Sequence, residues 1–144
     1  MQKIQGTASE GLISAKAALE GPIIKDKTSF SVSFRRTYID LFMNDIIKQM
    51  RDVDDNISDN DNYNFFFYDI NAKLQHKIDD RNSLFFMFYN GQDKLTTEYD
   101  SREGSMGELN TITNQDWKWG NTLAAIKWNH VISGNLFLNT TLSL

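Results

Sequence analysis

The feature that most limits what this chain can fold into is a strict alternation of apolar and polar residues. It is clearest between Phe66 and Ile78. Phe66, Tyr68, Ile70, Ala72, Leu74 and Ile78 share one parity, with His76 as the single polar interruption. Phe67, Asp69, Asn71, Lys73, Gln75 and Lys77 share the other. Successive side chains of a strand point to opposite faces, so a period of two marks a strand with one apolar face and speaks against an amphipathic helix.

Further segments repeat the pattern. From Gly11 to Glu20, Ile13, Ala15, Ala17 and Leu19 oppose Ser14, Lys16, Ala18 and Glu20. Gly21-Pro22 and Lys25-Asp26-Lys27 then end the segment, as turn residues do. From Ser29 to Leu41, Phe30, Val32 and Phe34 oppose Ser31, Ser33, Arg35 and Thr37. The phase changes past Arg36, which predicts a bulge or the strand's exit from an apolar zone. After the turn Asp79-Asp80-Arg81-Asn82, a segment starting at Ser83 alternates Leu84, Phe86 and Phe88 with Phe85, Met87 and Tyr89, and weakens towards Glu98. Trp117 to Val131 sets Thr122, Ala124, Ile126 and Trp128 against Asn121, Ala125, Lys127 and Asn129. Ser133-Gly134-Asn135 makes a turn, and Leu136, Leu138, Thr140, Leu142 and Leu144 alternate after it.

The reading is therefore all-β, an antiparallel meander of about six strands. Its connections alternate short and long. The long ones cover about Asn44 to Asn62, with a short helix expected over Leu41 to Met50, and about Asp100 to Asp116. Both fall at the same end of the meander, so the two ends are expected to do different work.

Composition removes several classes. The chain has 144 residues, the size of one domain, and no cysteine, which excludes disulfides and thiolate metal sites. No apolar run approaches the ~20 residues of a spanning helix. A net charge of −4 argues against a nucleic-acid binder held by bulk positive charge. The first residues carry no apolar leader, and the last ones stop inside an alternating pattern, so the ends are expected to be cut.

An apolar strand face has two destinations. It covers a protein core in a soluble sheet, or it meets lipid in a transmembrane barrel. Lys16, Arg35, Asp69, Lys73 and Lys127 place charges in mid-strand on the polar faces. Phe65 to Tyr68, Trp117 and Trp119 lie towards one end, and Trp128 towards the other. Both features, with the short and long connections, suit an outer-membrane barrel. They also suit a solvated sheet over an ordinary core, and alternation alone does not separate the two.

The wording of the segments points further. Gly11-Leu12-Ile13-Ser14-Ala15-Lys16-Ala17-Ala18-Leu19-Glu20-Gly21-Pro22-Ile23, then Lys25-Asp26-Lys27, then Ser33-Phe34-Arg35-Arg36-Thr37-Tyr38-Ile39-Asp40-Leu41 form one ordered set. Phe67-Tyr68-Asp69-Ile70-Asn71-Ala72-Lys73, Trp119-Gly120-Asn121-Thr122, Lys127-Trp128-Asn129-His130 and Leu136-Phe137-Leu138-Asn139-Thr140-Thr141-Leu142 continue it. Over nearly its whole length the chain resembles the early barrel of TonB-dependent outer-membrane receptors of the Bacteroidetes type. The resemblance implies a barrel of about 22 strands, of which residues 1–144 are one piece, the plug and remaining strands lying outside it. It implies TonB-energised uptake of a scarce bulky ligand (an iron chelate, cobalamin or a glycan) across the outer membrane, and no enzyme activity. Outer-membrane lipid, TonB through a missing N-terminal region, the nutrient ligand and a surface lipoprotein are the partners it implies; no nucleic acid and no cofactor are expected. A soluble antiparallel binding module and a complete small outer-membrane barrel for adhesion or structure are the rivals.

On this reading Arg35, Asp69, Asn71, Lys73, Lys127 and Asn129 line the lumen, as contacts for plug or substrate or as a ladder of cross-strand pairs. The acidic run Asp52, Asp54, Asp55, Asp59 and Asp61 offers hard oxygen donors but lacks the EF-hand glycine and closing glutamate, so a solvated loop is expected. His76 and His130 sit near short turns on the apolar face, where an interfacial position accounts for both. No metal and no catalytic group is assigned, and Gly104-Ser105-Met106-Gly107 lacks the Lys-Ser/Thr of a phosphate loop. Trp117 and Trp119 are expected in a membrane-interface girdle, with stacking on a sugar ring as the other possibility.

Overall fold

A computed structural model describes residues 3–51, 62–102 and 110–144. The acidic run at 52–61 and the glycine pair Gly104 and Gly107 lie outside the described residues. The elements are β1 (Gln5–Glu10), β2 (Ser14–Ile24), β3 (Thr28–Thr37), α1 (Asp40–Arg51), β4 (Asn62–Lys77), β5 (Asn82–Arg102), β6 (Asn110–Ser133) and β7 (Leu136–Ser143). The seven strands form one antiparallel sheet in chain order. The meander is as expected, with one strand more. The expected barrel of about 22 strands is corrected: the described residues make a seven-stranded sheet whose first and last strands are both edges.

The extra strand, β1, reads Gln-Gly-Thr-Ala-Ser-Glu and is exposed throughout. It has no apolar parity, so periodicity could not announce it. Its place comes from backbone pairing to β2, from Gln5 opposite Glu20 to Glu10 opposite Ala15. Gly21-Pro22 does not end β2. The strand runs through it to Ile24, with an irregularity between Pro22 and Ile24. The reversal falls instead at Lys25–Lys27, where Asp26 adopts φ 59° and Lys27 N–H donates to the Ile24 carbonyl at 3.1 Å. Aspartate is among the few residues that tolerate this left-handed conformation.

The phase change past Arg36 has a simple cause: β3 stops at Thr37. Thr37 is the most buried residue described, at 1% exposure. Its hydroxyl accepts from Phe67 N–H at 2.9 Å and so closes the top of the β3–β4 ladder. The chain then enters α1, which carries Asp40 in its first turn, where a carboxylate suits the helix dipole. Arg36 reaches Asp40 at 3.2 Å. The helix packs against β4. The second long connection is mostly strand: β5 and β6 stay paired to Arg102 and Asn110.

Register carries one row of residues across the sheet. Leu19, Val32, Ala72, Phe88 and Ala124 face the same way, as do Phe30, Leu74, Phe86, Ile126 and Leu142 one row below. The sheet is inside out by soluble standards. Among the described residues Ala125 is the single buried hydrophobic, while Val32, Phe34, Phe88 and Ile126 are about two-fifths exposed and Thr37, Asp69 and Thr97 are buried. Among the described residues only α1 packs on the sheet, against β4. A soluble sheet hides its apolar face under a second layer, and the described residues provide none over this band. The soluble binding module is therefore not favoured.

Two glycines allow close approach where β5 pairs with β6. A Cβ on Gly120 would collide with the carbonyl oxygen of Gly91, and one on Gly91 with the Tyr89 hydroxyl. Backbone cannot yield as a side chain does. Gly120→Val is expected to cost about 1–3 kcal/mol. Gly134→Ala, at a turn with open space around it, is expected to stay within about 0.5 kcal/mol. Guanidinium unfolding of the two variants in detergent checks the contrast.

Candidate functional site on the polar face

All six residues expected to line the lumen stand on one face. Arg35 pairs across to Asp69, Asn71 lies one row below, Lys73 the next, and Lys127 and Asn129 follow on β6. The face is not one site, however. Lys127 holds its ammonium 5.9 Å from the Phe85 ring. Lys73 is exposed. Asn129 has a buried Oδ1 without a partner among the described residues. Only Arg35, Asp69 and Asn71 come together.

That group sits at the end of the long connections. Arg35 Nε–H donates to Asp69 Oδ2 at 2.6 Å. Asn71 Nδ2 donates to the other carboxylate oxygen at 3.3 Å. Asp69's side chain is 13% exposed and Arg35's is 49%. The guanidinium also lies 5.3 Å from the centroid of Phe67, within cation–π range. Phe67 neighbours Phe65 at 6.3 Å, and Phe65 stacks on Trp119 at 6.4 Å and 27°. Cation and aromatic rings thus run continuously from β3 to β6.

The tryptophans correct the girdle expectation. Register sets Phe67, Asp93 and Trp119 in one cross-strand row, directly above Asp69, Gly91 and Asn121. Trp117 follows two residues on. Both indoles therefore belong to the polar face, not the apolar one. The signal was present in the parity that Trp117 and Trp119 share with Asn121 and Lys127. A shallow pocket opens here, walled by Arg35, Asp69, Tyr89, Asp93, Trp119 and Asn121. Sequence reading passed over Asp93, because nothing local marks one carboxylate in a weak part of a strand.

The apolar face has its own borders. At the end with long connections, Phe66, Lys94 and Lys118 form a row, with the Arg36 guanidinium 5.1 Å from the Phe66 ring and Lys94 3.8 Å from Asp116. At the end with short turns, Trp128 stacks on His130 at 5.3 Å. Asn82 Oδ1 accepts from Trp128 Nε1 at 3.1 Å and lies 2.7 Å from His130 Nδ1. His76 Nδ1 lies 2.9 Å from Thr28 Oγ1. These side-chain partners account for both histidines, and no group of three or more metal-type ligands occurs among the described residues.

The Asp79 carboxylate closes the turn below Asn82. It accepts from Asn82 Nδ2 at 2.9 and 3.0 Å and from Arg81 N–H at 2.7 Å. The Asn82 side chain, then the Arg81 amide, hold its pKa below the ordinary 3.8.

No family model and no curated protein matches the chain. Two solved structures resemble it. One is the crystal structure of Ail, the attachment invasion locus protein of Yersinia pestis, with a TM-score of 0.36 and 11% identity over 97% of this chain and 80% of that one. The other is Ail in complex with the heparin analogue sucrose octasulfate, with a TM-score of 0.38 and 10% identity over the same shares. The expected identity as a piece of a TonB-dependent nutrient-uptake receptor is corrected: no family model of such a receptor matches, and the described residues form a seven-stranded meander with an edge strand at each side.

Arg35→Met strands the largely buried Asp69 carboxylate and is expected to cost about 1–3 kcal/mol. Asp69→Asn leaves a half-exposed guanidinium that water can solvate, and is expected to cost less. Unfolding midpoints of both variants test the order. For Asp79, the lowered folded pKa means that the turn's contribution is present above the unfolded value and is lost as pH falls through the folded one. The Arg81 amide shift is expected to titrate with a midpoint below 3.8, and Asp79→Asn to abolish that titration in an NMR pH series.

Proposed function

We propose that this chain forms part of the wall of a β-barrel in the outer membrane, with a non-catalytic role at the cell surface. The carrying observation is the inverted burial: large apolar side chains exposed in one continuous band, small and polar ones covered. Lipid is the layer that makes such a sheet stable, since acyl chains solvate the apolar face while water or protein fills the other side.

The dimensions support this. On β4 the stretch between the Phe66 row and the short turn runs from Tyr68 to His76, which matches the ~9–11 residues of a tilted spanning strand. Basic and aromatic residues border the band above, and Trp128 and His130 border it below, as at membrane interfaces. Three short reversals lie at one end: Lys25–Lys27, the turn around Asp79–Arg81, and Gly134-Asn135. The helix and the extended β5–β6 arm lie at the other. In an outer-membrane barrel the first end faces the periplasm and the second the exterior. Lipid tolerates no unpaired strand edge, so β1 and β7 are closed by pairing in the assembled wall. In a meander of seven, these two strands run parallel, and an antiparallel seam takes an odd number of further strands.

Folding of the urea-denatured chain into phosphatidylcholine vesicles tests the reading. Phe88→Arg puts a charge in the middle of the band and is expected to cost about 2–4 kcal/mol, whereas Asn71→Arg, on the opposite face, is expected to cost under ~1 kcal/mol. Equal costs, or cooperative folding as a monomer without lipid or detergent, would overturn it.

A further inference from the structure

Asp69 and Asp93 are diagonal neighbours on the polar face, and their surroundings differ in one respect. Asp69 has a cation: Arg35 pairs with it while resting on the Phe67 ring. Asp93 lies in the next row between Phe67 and Trp119, partly covered, and its carboxylate makes no hydrogen bond or ion pair among the described residues. The chain therefore displays a carboxylate–aromatic pair with its cation in place, and a second pair beside it without one.

We propose that Asp93, Trp119 and Phe65 form a seat for a small organic cation of the alkylammonium class. Cross-strand neighbours in one row have Cβ atoms about 4.5–5.5 Å apart, which brings the Asp93 carboxylate within reach of a positive group lying over the indole. Tryptophan offers the strongest cation–π face of the aromatic side chains. Trp119 keeps 48% of its surface exposed, and Phe65 stacks against it and fixes the ring plane. A partly covered carboxylate without a partner gains most from a ligand carrying the opposite charge. An alkylammonium fits both features, because its apolar hydrogens pack on the rings and its charge faces Asp93. A hard divalent ion does not fit. Ca²⁺ takes ~6–8 oxygen ligands, and the other carboxylate in the pocket is already held by Arg35 and Asn71. The seat requires only that the polar face be wetted, so it stands apart from what covers the apolar face.

The test uses the full chain in maltoside micelles, with tryptophan fluorescence as the readout, choline as the cationic probe and 3,3-dimethylbutanol as its uncharged isostere. Choline is expected to give a saturable change and to bind at least about tenfold more tightly than the isostere. Asp93→Asn is expected to weaken choline by about tenfold or more with an unchanged far-ultraviolet dichroism spectrum, Asp93→Glu to retain binding, and Asp79→Asn, at the distant turn, to leave it unaltered. Absence of a saturable choline response, equal binding of the two probes, or parental affinity in Asp93→Asn would each overturn the proposal. A chain that binds choline yet folds without lipid would separate this seat from the membrane reading.

Discussion

Everything in this molecule hangs on the hydrogen-bonded register of β4, β5 and β6. Leu74 opposite Phe86, and Phe86 opposite Ile126, place three large apolar side chains in one row. A slip of one residue would turn each of them to the other face and bring Lys73, Met87 and Ala125 in their place. The same ladder sets Phe67, Asp93 and Trp119 side by side. Both the apolar band and the polar pocket are therefore consequences of one set of backbone bonds.

The band defines the solvent that this fold requires. Water on one side and an apolar medium on the other is a condition few soluble sheets meet without a second layer. Here α1 packs against β4, and among the described residues none forms a layer over the row from Leu19 to Ala124. The charged groups bear out the division. Arg35 and Asp69 pair on the polar face, Lys127 rests on Phe85 there, and Lys94 and Lys118 stand at the border of the band. Basic side chains at such a border keep their stems on apolar surface and their charges in water.

The core strands were legible from alternation because their two faces differ so strongly. Phe66 to Ile78 could hardly be anything else, and the parity of Arg35, Asp69, Asn71, Lys73, Lys127 and Asn129 on one face followed from it. The helix after β3 was legible from the apolar spacing between Leu41 and Met50. β1 was not, because a polar edge strand has no pattern and is held by pairing alone. The turn expected at Gly21-Pro22 falls later because β2 continues through the proline, whose missing N–H an irregularity in the pairing with β3 can spare. The family resemblance, built on segment wording, named a larger barrel than the described fold forms.

By itself the chain's order of residues determined that there would be strands, which residues would share a face along each strand, and that one face would be apolar. Period two is a local property, and local sterics decide it. What only the tertiary structure decided was which residue stands opposite which: that Arg35 meets Asp69, that Asp93 meets Trp119 and not a lysine, and that the tryptophans of β6 face the polar side together with Phe65. Those pairings join residues distant in the sequence, and the register between strands, which no single strand's pattern contains, is what brings them together.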